Sequence, residues 1–219
     1  MQPNRRGIVV ALGSLPLFCG FAQHASAQPQ PLRPGTDYSE LRVPQAVEAP
    51  PGKIEIVEFF WYGCPHCNSL ESYLENWIRR LPVDVLFRRI PAVFNERWAR
   101  DAAIFYAFEA LGVVEKVHRP FFDAIHREGL KTENPEALKQ WLERKGIEMK
   151  KFEESFKSFG VQSRVKRAQQ QSVAYRIEGT PTLGVHGRYT VSPEQGKSQD
   201  GMLANVDYLT GLVRAASKK

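Results

Sequence analysis

The stretch Val57-Glu58-Phe59-Phe60-Trp61-Tyr62-Gly63-Cys64-Pro65-His66-Cys67 runs from an apolar segment straight into two cysteines spaced two residues apart. Lys53 to Trp61 is dense in β-branched and aromatic residues and has apolar side chains in both alternating sets. That predicts a strand buried on both faces. Pro65 to Arg80 predicts a helix with Leu70, Tyr73, Leu74 and Trp77 on one stripe, ended by Leu81-Pro82. Cys64 then falls at a strand-to-helix junction. Pro65 takes the first helical position, where its missing N–H costs nothing. The N–H groups of the first turn, with the helix dipole, favour an anion on the Cys64 sulfur. Cys67 lies one turn deeper on the same face, within reach of Cys64 and less exposed. The expected chemistry is disulfide exchange, with Cys64 as attacking thiolate and Cys67 as resolving thiol.

Three further positions join this candidate site. His66 sits between the cysteines, and its ring, charged or as an N–H donor, would further stabilise the Cys64 thiolate. Glu58 stands in the middle of an apolar strand, where a carboxylate is costly unless paired or protonated. Six residues before Cys64, it is placed to relay the proton that a buried Cys67 must gain or lose. Its alternative is a strand-end carboxylate that reaches solvent or pairs with Arg88 or Arg89. Thr180-Pro181 precedes a strand-like run, where proline is unwelcome. A cis peptide there explains the proline and presents the Thr180 backbone to an extended peptide beside Cys64.

A structural zinc site is the rival use of the cysteine pair. Zinc takes four ligands, usually from a second cysteine pair or a closely spaced histidine pair. The chain has three cysteines in all, and His118 and His126 are eight residues apart. No metal and no cofactor is expected.

Residues 1–27 read as a secretory signal: Arg5 and Arg6, an apolar stretch from Ile8 to Ala22, and Ala25-Ser26-Ala27 as the cleavage site. Cys19 leaves with it. The chain has 219 residues and a formal charge of +6; loss of Arg5 and Arg6 lowers that excess by two. Arg79, Arg80, Arg88, Arg89 and the Arg164-Val165-Lys166-Arg167 cluster read as solvated faces without interleaved aromatics, which argues against nucleic-acid binding. An exported protein with one closely spaced cysteine pair has no framework of structural bridges, so the pair reads as reactive.

Beyond the signal, residues 28–36 read as a loose arm and residues 44–52 as an irregular approach to the first central strand. Val83 to Ile90 predicts a second strand, parallel to the first. From about Asn95 to Tyr175 the pattern is helical. Trp98, Ala102, Phe105 and Tyr106 share one face, and Asn134-Pro135-Glu136 starts a helix that Gly146 stops. Phe152, Phe156 and Phe159 read as core of this helical part rather than as a cofactor box. Thr182 to Val185 and Arg188 to Val191 predict a hairpin around His186-Gly187. A polar loop and a final helix from about Asp200 to Ala216 follow.

Together, the signal, Val57-Glu58-Phe59-Phe60 entering Cys64-Pro65-His66-Cys67, the long helical stretch and Gly179-Thr180-Pro181 resemble the thioredoxin superfamily and, within it, the DsbA family. The resemblance covers nearly all of the mature chain. It implies an α/β thioredoxin fold in two parts, residues 28–91 and 176–219, around a helical domain inserted at 92–175. It also implies a periplasmic, monomeric oxidase that gives its Cys64–Cys67 disulfide to reduced exported proteins. Reoxidation would come from a quinone-linked membrane oxidase of the DsbB type. Pro181 matches the family's cis-proline and Glu58 its buried acid, whose basic partner falls at Arg88 or Arg89. Thr180 stands where the best-known member has valine. An isomerase or reductase on the same fold is the nearest alternative; an isomerase of the DsbC type would need an N-terminal dimerisation domain, for which the arm is too short. A non-catalytic zinc or peptide-binding module is the alternative of another class.

Overall fold

The computed structural model describes residues 31–217; the expected signal, its cleavage site and Cys19 lie outside them. The Ile54–Phe60 strand (β2) is buried along its whole length, as the apolar residues in both alternating sets require. It pairs in parallel with Val85–Pro91 (β3), to which helix α1 (Pro65–Ile78) connects it. On its other side β2 pairs antiparallel with Thr182–Val185 (β4), which forms a hairpin with Tyr189–Val191 (β5). His186 and Gly187 both have positive φ, 49° and 64°. The Arg188 N–H reaches the Val185 carbonyl at 3.0 Å, so the turn is the two-residue type expected. Gly187 also meets a steric demand, because a Cβ there would stand 2.1 Å from the Gln45 carbonyl oxygen.

Residues 31–36, the described part of the expected loose arm, and the segment that follows them hold more order than an arm. Ser39–Glu40 (β1) pairs with β5 and completes the sheet order β1-β5-β4-β2-β3. Arg33 and Asp37 close a turn before it: the Arg33 backbone N–H donates to the Asp37 carboxylate at 3.0 Å. Two-residue edge pairing carries no periodicity, which is why the sequence does not announce it.

Helices α2 (Glu96–Ala110), α3 (Val114–His126), α4 (Pro135–Arg144), α5 (Met149–Lys157) and α6 (Phe159–Ala174) lie between β3 and β4. Their caps follow the sequence: Asn95 accepts from the Trp98 N–H, and Asn134 from those of Glu136 and Ala137, with Pro135 at the first position. One apolar cluster joins Val57 and Phe59 to Phe105, Phe108, Phe121 and Trp141 of these helices. The other face of the sheet, Ile54, Ile56, Leu183 and Val185, packs on Leu70, Leu74 and Trp77 of α1 and on α8 (Gln199–Ala216). A short helix, α7 (Pro193–Gly196), stands where a polar loop was expected; its Ser192 and Gln195 form a capping box.

Three expectations need correction. Tyr73 leaves the buried stripe of α1 and is 39% exposed. Phe159 is 88% exposed rather than core. Ser158 ends α5 and caps α6, so the helical spacing of Phe152 and Phe156 does not continue through it. Arg88 and Arg89 are not solvated faces; both side chains are tied to buried carboxylates.

Candidate active site

Cys64 is the N-cap residue of α1, with extended backbone angles and Pro65 behind it. Ser or Asp stands at this position in many other helices, but the Cys64 side chain makes no capping hydrogen bond of its own. Cys67 is fully buried, whereas Cys64 keeps 7% of its surface. Both are free thiols. The Cys64 thiol is brought down to about 5. The Cys67 side chain contributes most, burial opposes it, and the Thr180 side chain and the N–H groups of Cys67 and His66 add to it. Burial, above all, pushes Cys67 well above the usual thiol range, with the Cys64 side chain acting in the same direction. The two thiols therefore divide into one that ionises readily and one that holds its proton.

The His66 contribution to this sulfur comes from its backbone N–H, not from its ring. Its ring lines a cleft of about 630 Å³ with Thr180 and Gly179, and a smaller one of about 170 Å³ with Leu70, Pro181 and Met202. The Thr180–Pro181 bond, which divides the two clefts, is cis. The Thr180 carbonyl accepts from the Cys64 thiol at 3.1 Å. That bond holds the protonated form and is lost when the sulfur ionises.

Glu58 is completely buried. The choice between its two possible partners falls on Arg89, whose Nε donates to Glu58 Oε2 at 3.1 Å. Arg88 instead donates to Glu55, at 3.0 and 3.3 Å. Glu58 Oε1 has no partner among the described residues. Burial pushes the Glu58 carboxyl up to about 8, and the charge of Glu71 adds to it against the pull of Arg89.

Three residues that sequence reasoning did not place extend this pair. Arg89 Nη2 donates to both oxygens of Glu71, at 3.0 and 3.3 Å. Glu71 Oε1 lies 3.2 Å from His118 Nε2, and His118 Nδ1 lies 2.9 Å from the Tyr62 hydroxyl. A signal for Glu71 exists in the chain: it is four residues past Cys67, on the buried side of α1. His118, weighed only as a zinc ligand, lies with Val117, Phe121 and Phe122 in the buried part of α3, which foretells burial but not its partners. His126, the other histidine weighed for zinc, meets the Tyr62 carbonyl at 2.8 Å.

The chain is similar to known proteins over most of its length. A model of the DSBA-like thioredoxin domain matches residues 74–200. Thiol:disulfide interchange protein DsbA of Azotobacter vinelandii is 39% identical over 205 residues, 94% of this chain and 95% of that one. Its counterpart in Pseudomonas aeruginosa is 38% identical over 194 residues, 89% and 92% of the two chains. The crystal structure of Pseudomonas aeruginosa DsbA superposes with a TM-score of 0.80 at 39% identity, covering 84% of this chain and 96% of that one. The oxidoreductase DsbA from Xylella fastidiosa gives 0.76 at 36% identity, over 82% and 96%. This chain belongs to the DsbA-like thioredoxin family and is a thiol:disulfide oxidoreductase.

Proposed function

We propose that this chain is a periplasmic dithiol oxidase. It acts as a monomer after removal of residues 1–27, gives its Cys64–Cys67 disulfide to reduced exported proteins, and is reoxidised by a quinone-linked membrane oxidase of the DsbB type. Among the described residues no helix is long and apolar enough to cross a membrane. The observation that carries the reading is the split between the two thiols: Cys64 held near 5 at a helix N-cap, and Cys67 buried and held protonated.

The exchange runs in two steps. A substrate thiolate attacks Cys64 Sγ; an S–S bond forms to substrate, and the Cys64–Cys67 bond breaks. Cys67 leaves as a thiolate and takes the proton of the Glu58 carboxyl, which is mostly protonated at pH 7. A second substrate thiolate then attacks the substrate sulfur of the mixed disulfide, and Cys64 leaves as a stabilised thiolate. The substrate dithiol has lost two electrons and the cysteine pair has gained them. A good leaving group at Cys64 pulls this sequence toward substrate oxidation. Thr180 and Pro181, at the divide between the two clefts, dock the substrate backbone.

Equilibration of the Cys64–Cys67 pair with glutathione tests the direction. A dithiol form that dominates at glutathione ratios where ordinary structural disulfides stay oxidised supports the oxidase. A pair that stays oxidised in reducing glutathione would identify a reductase. Efficient reshuffling of a scrambled protein, without net oxidation of a dithiol peptide, would identify an isomerase.

A further inference from the structure

Beneath the cysteines, two buried carboxylates, Glu58 and Glu71, share one guanidinium, Arg89. Such a cluster is neutral only when it binds one more proton than its ionised form holds. That proton can lie on Glu58, on Glu71 or on His118. Glu71 is held below the usual carboxylate range: burial pushes it up, but the hydrogen bond from His118 and the charge and hydrogen bonds of Arg89 outweigh it. It stays ionised and accepts from His118 Nε2–H. The imidazole lies among Phe60, Phe105 and Phe122, and burial keeps it below its ordinary value and so neutral. With Nε2 carrying the proton, Nδ1 is an acceptor, and the Tyr62 hydroxyl donates to it at 2.9 Å. Protonating His118 would force that hydroxyl to turn away. Among the described residues Glu58 has the cluster's one vacant position, its unpartnered Oε1.

We propose that His118 and Tyr62 are positioning residues that keep the cluster's exchangeable proton on Glu58, beside Cys67. The inference rests on the reading of Glu58 as the acid for Cys67. The groups that act on Glu58 are Glu71 of α1, Arg89 of β3 and the Cys64 thiolate, and Glu58 in turn acts on Cys67 of α1; its partner on β4 is Leu183, which does not titrate. Those that act on His118 are Glu71, Arg89 and Glu115, with the Tyr62 hydroxyl at Nδ1. In Tyr62→Phe, Nδ1 loses its donor, His118 becomes the better base and Glu58 gives up the proton. In His118→Gln, the amide donates to Glu71 and accepts from Tyr62 but cannot titrate, so the proton stays on Glu58.

Nitrogen NMR on the intact reduced protein should show His118 neutral at pH 7 with the proton on Nε2. Infrared difference spectra against Glu58→Gln should show a protonated-carboxyl band at pH 7 that the variant lacks. In Tyr62→Phe that band should weaken, and the midpoint of the pH profile for the Cys67-dependent exchange step should move to lower pH by about a tenfold change in proton concentration, the scale of one charged-group hydrogen bond. His118→Gln should keep both the band and the midpoint. A charged or Nδ1–H His118, a band that survives in Glu58→Gln, an unmoved midpoint in Tyr62→Phe, or an equal movement in His118→Gln would each overturn the proposal. If Glu58→Gln removes the band yet leaves the rate profile unchanged, the proton placement stands and the acid role of Glu58 falls.

Discussion

Glu58 and Arg89 face each other across the parallel strands β2 and β3, and the Arg89 Nε donates to Glu58 Oε2 at 3.1 Å. Arg88, one residue away, faces Val57 in the same register and turns to the other side of the sheet, where it meets Glu55. Alternation along a strand thus assigns two adjacent arginines to two carboxylates with different surroundings. One pair lies under the reactive cysteines, and the other ties the 44–52 segment to the sheet through the Glu48 N–H, which donates to Glu55 at 2.8 Å.

Removing Arg89 should therefore differ from removing Arg88. Arg89→Met strips both Glu58 and Glu71 of their cation and should cost about 3–5 kcal/mol in urea unfolding at pH 7. Adding Glu71→Gln should restore part of it, because the buried charge of the ionised Glu71 disappears. Arg88→Met leaves Glu55 its Glu48 N–H and should cost less. Equal losses for the two single variants would contradict the assignment.

The thiol roles can be read by alkylation and trapping. At pH 6 iodoacetamide should modify Cys64 and spare Cys67, since only Cys64 is ionised there. Cys64→Ser should abolish oxidation of a dithiol peptide. Cys67→Ser should accumulate a mixed disulfide between Cys64 and substrate, stable on a gel without reductant. Modification of Cys67 ahead of Cys64 would reverse the roles.

Acidity of Cys64 makes the stability of the reduced form depend on pH. The folded value, about 5, lies below the ordinary 9, so the thiolate's contribution is full above the unfolded value and is lost as pH falls through 5. At pH 7 it amounts to about 2–3 kcal/mol. The four-residue disulfide loop stabilises the oxidised form by on the order of 2 kcal/mol. The reduced protein should melt higher at pH 8, the two forms should cross near pH ~6.5, and the oxidised protein should melt higher at pH 5. Calorimetry of the two forms across this range checks the crossing; a constant gap would falsify the acidic-thiol assignment.

Thr180→Val should weaken the oxidant. The Thr180 side chain is among the groups that bring Cys64 down, and valine has no hydrogen to donate. One hydrogen bond to a charged sulfur is worth about 1.5 kcal/mol, or roughly tenfold in the ionisation constant. Thiolate absorbance against pH should titrate higher in the variant, and the glutathione equilibrium should shift toward its disulfide. A titration curve unchanged from wild type would leave Thr180 with docking alone.

Much of this protein is written locally. The buried β2, the α1 start at Pro65, the caps at Asn95 and Asn134 and the His186-Gly187 turn rest on periodicity and backbone preference within a few residues. The division of labour proposed for Cys64 and Cys67 begins there too, in which sulfur stands at the free N–H groups, but the burial that holds Cys67 protonated and the Thr180 contribution to Cys64 come from distant parts of the chain. What only the tertiary structure decided depends on register and on distant partners. The choice of Arg89 for Glu58 follows from strand pairing across 31 residues. The link from Glu71 to His118 spans 47 residues and that from His118 to Tyr62 spans 56. Spacing along the chain shows that a polar side chain is buried; which group satisfies it depends on how the insertion helices dock against α1 and the β2–α1 turn.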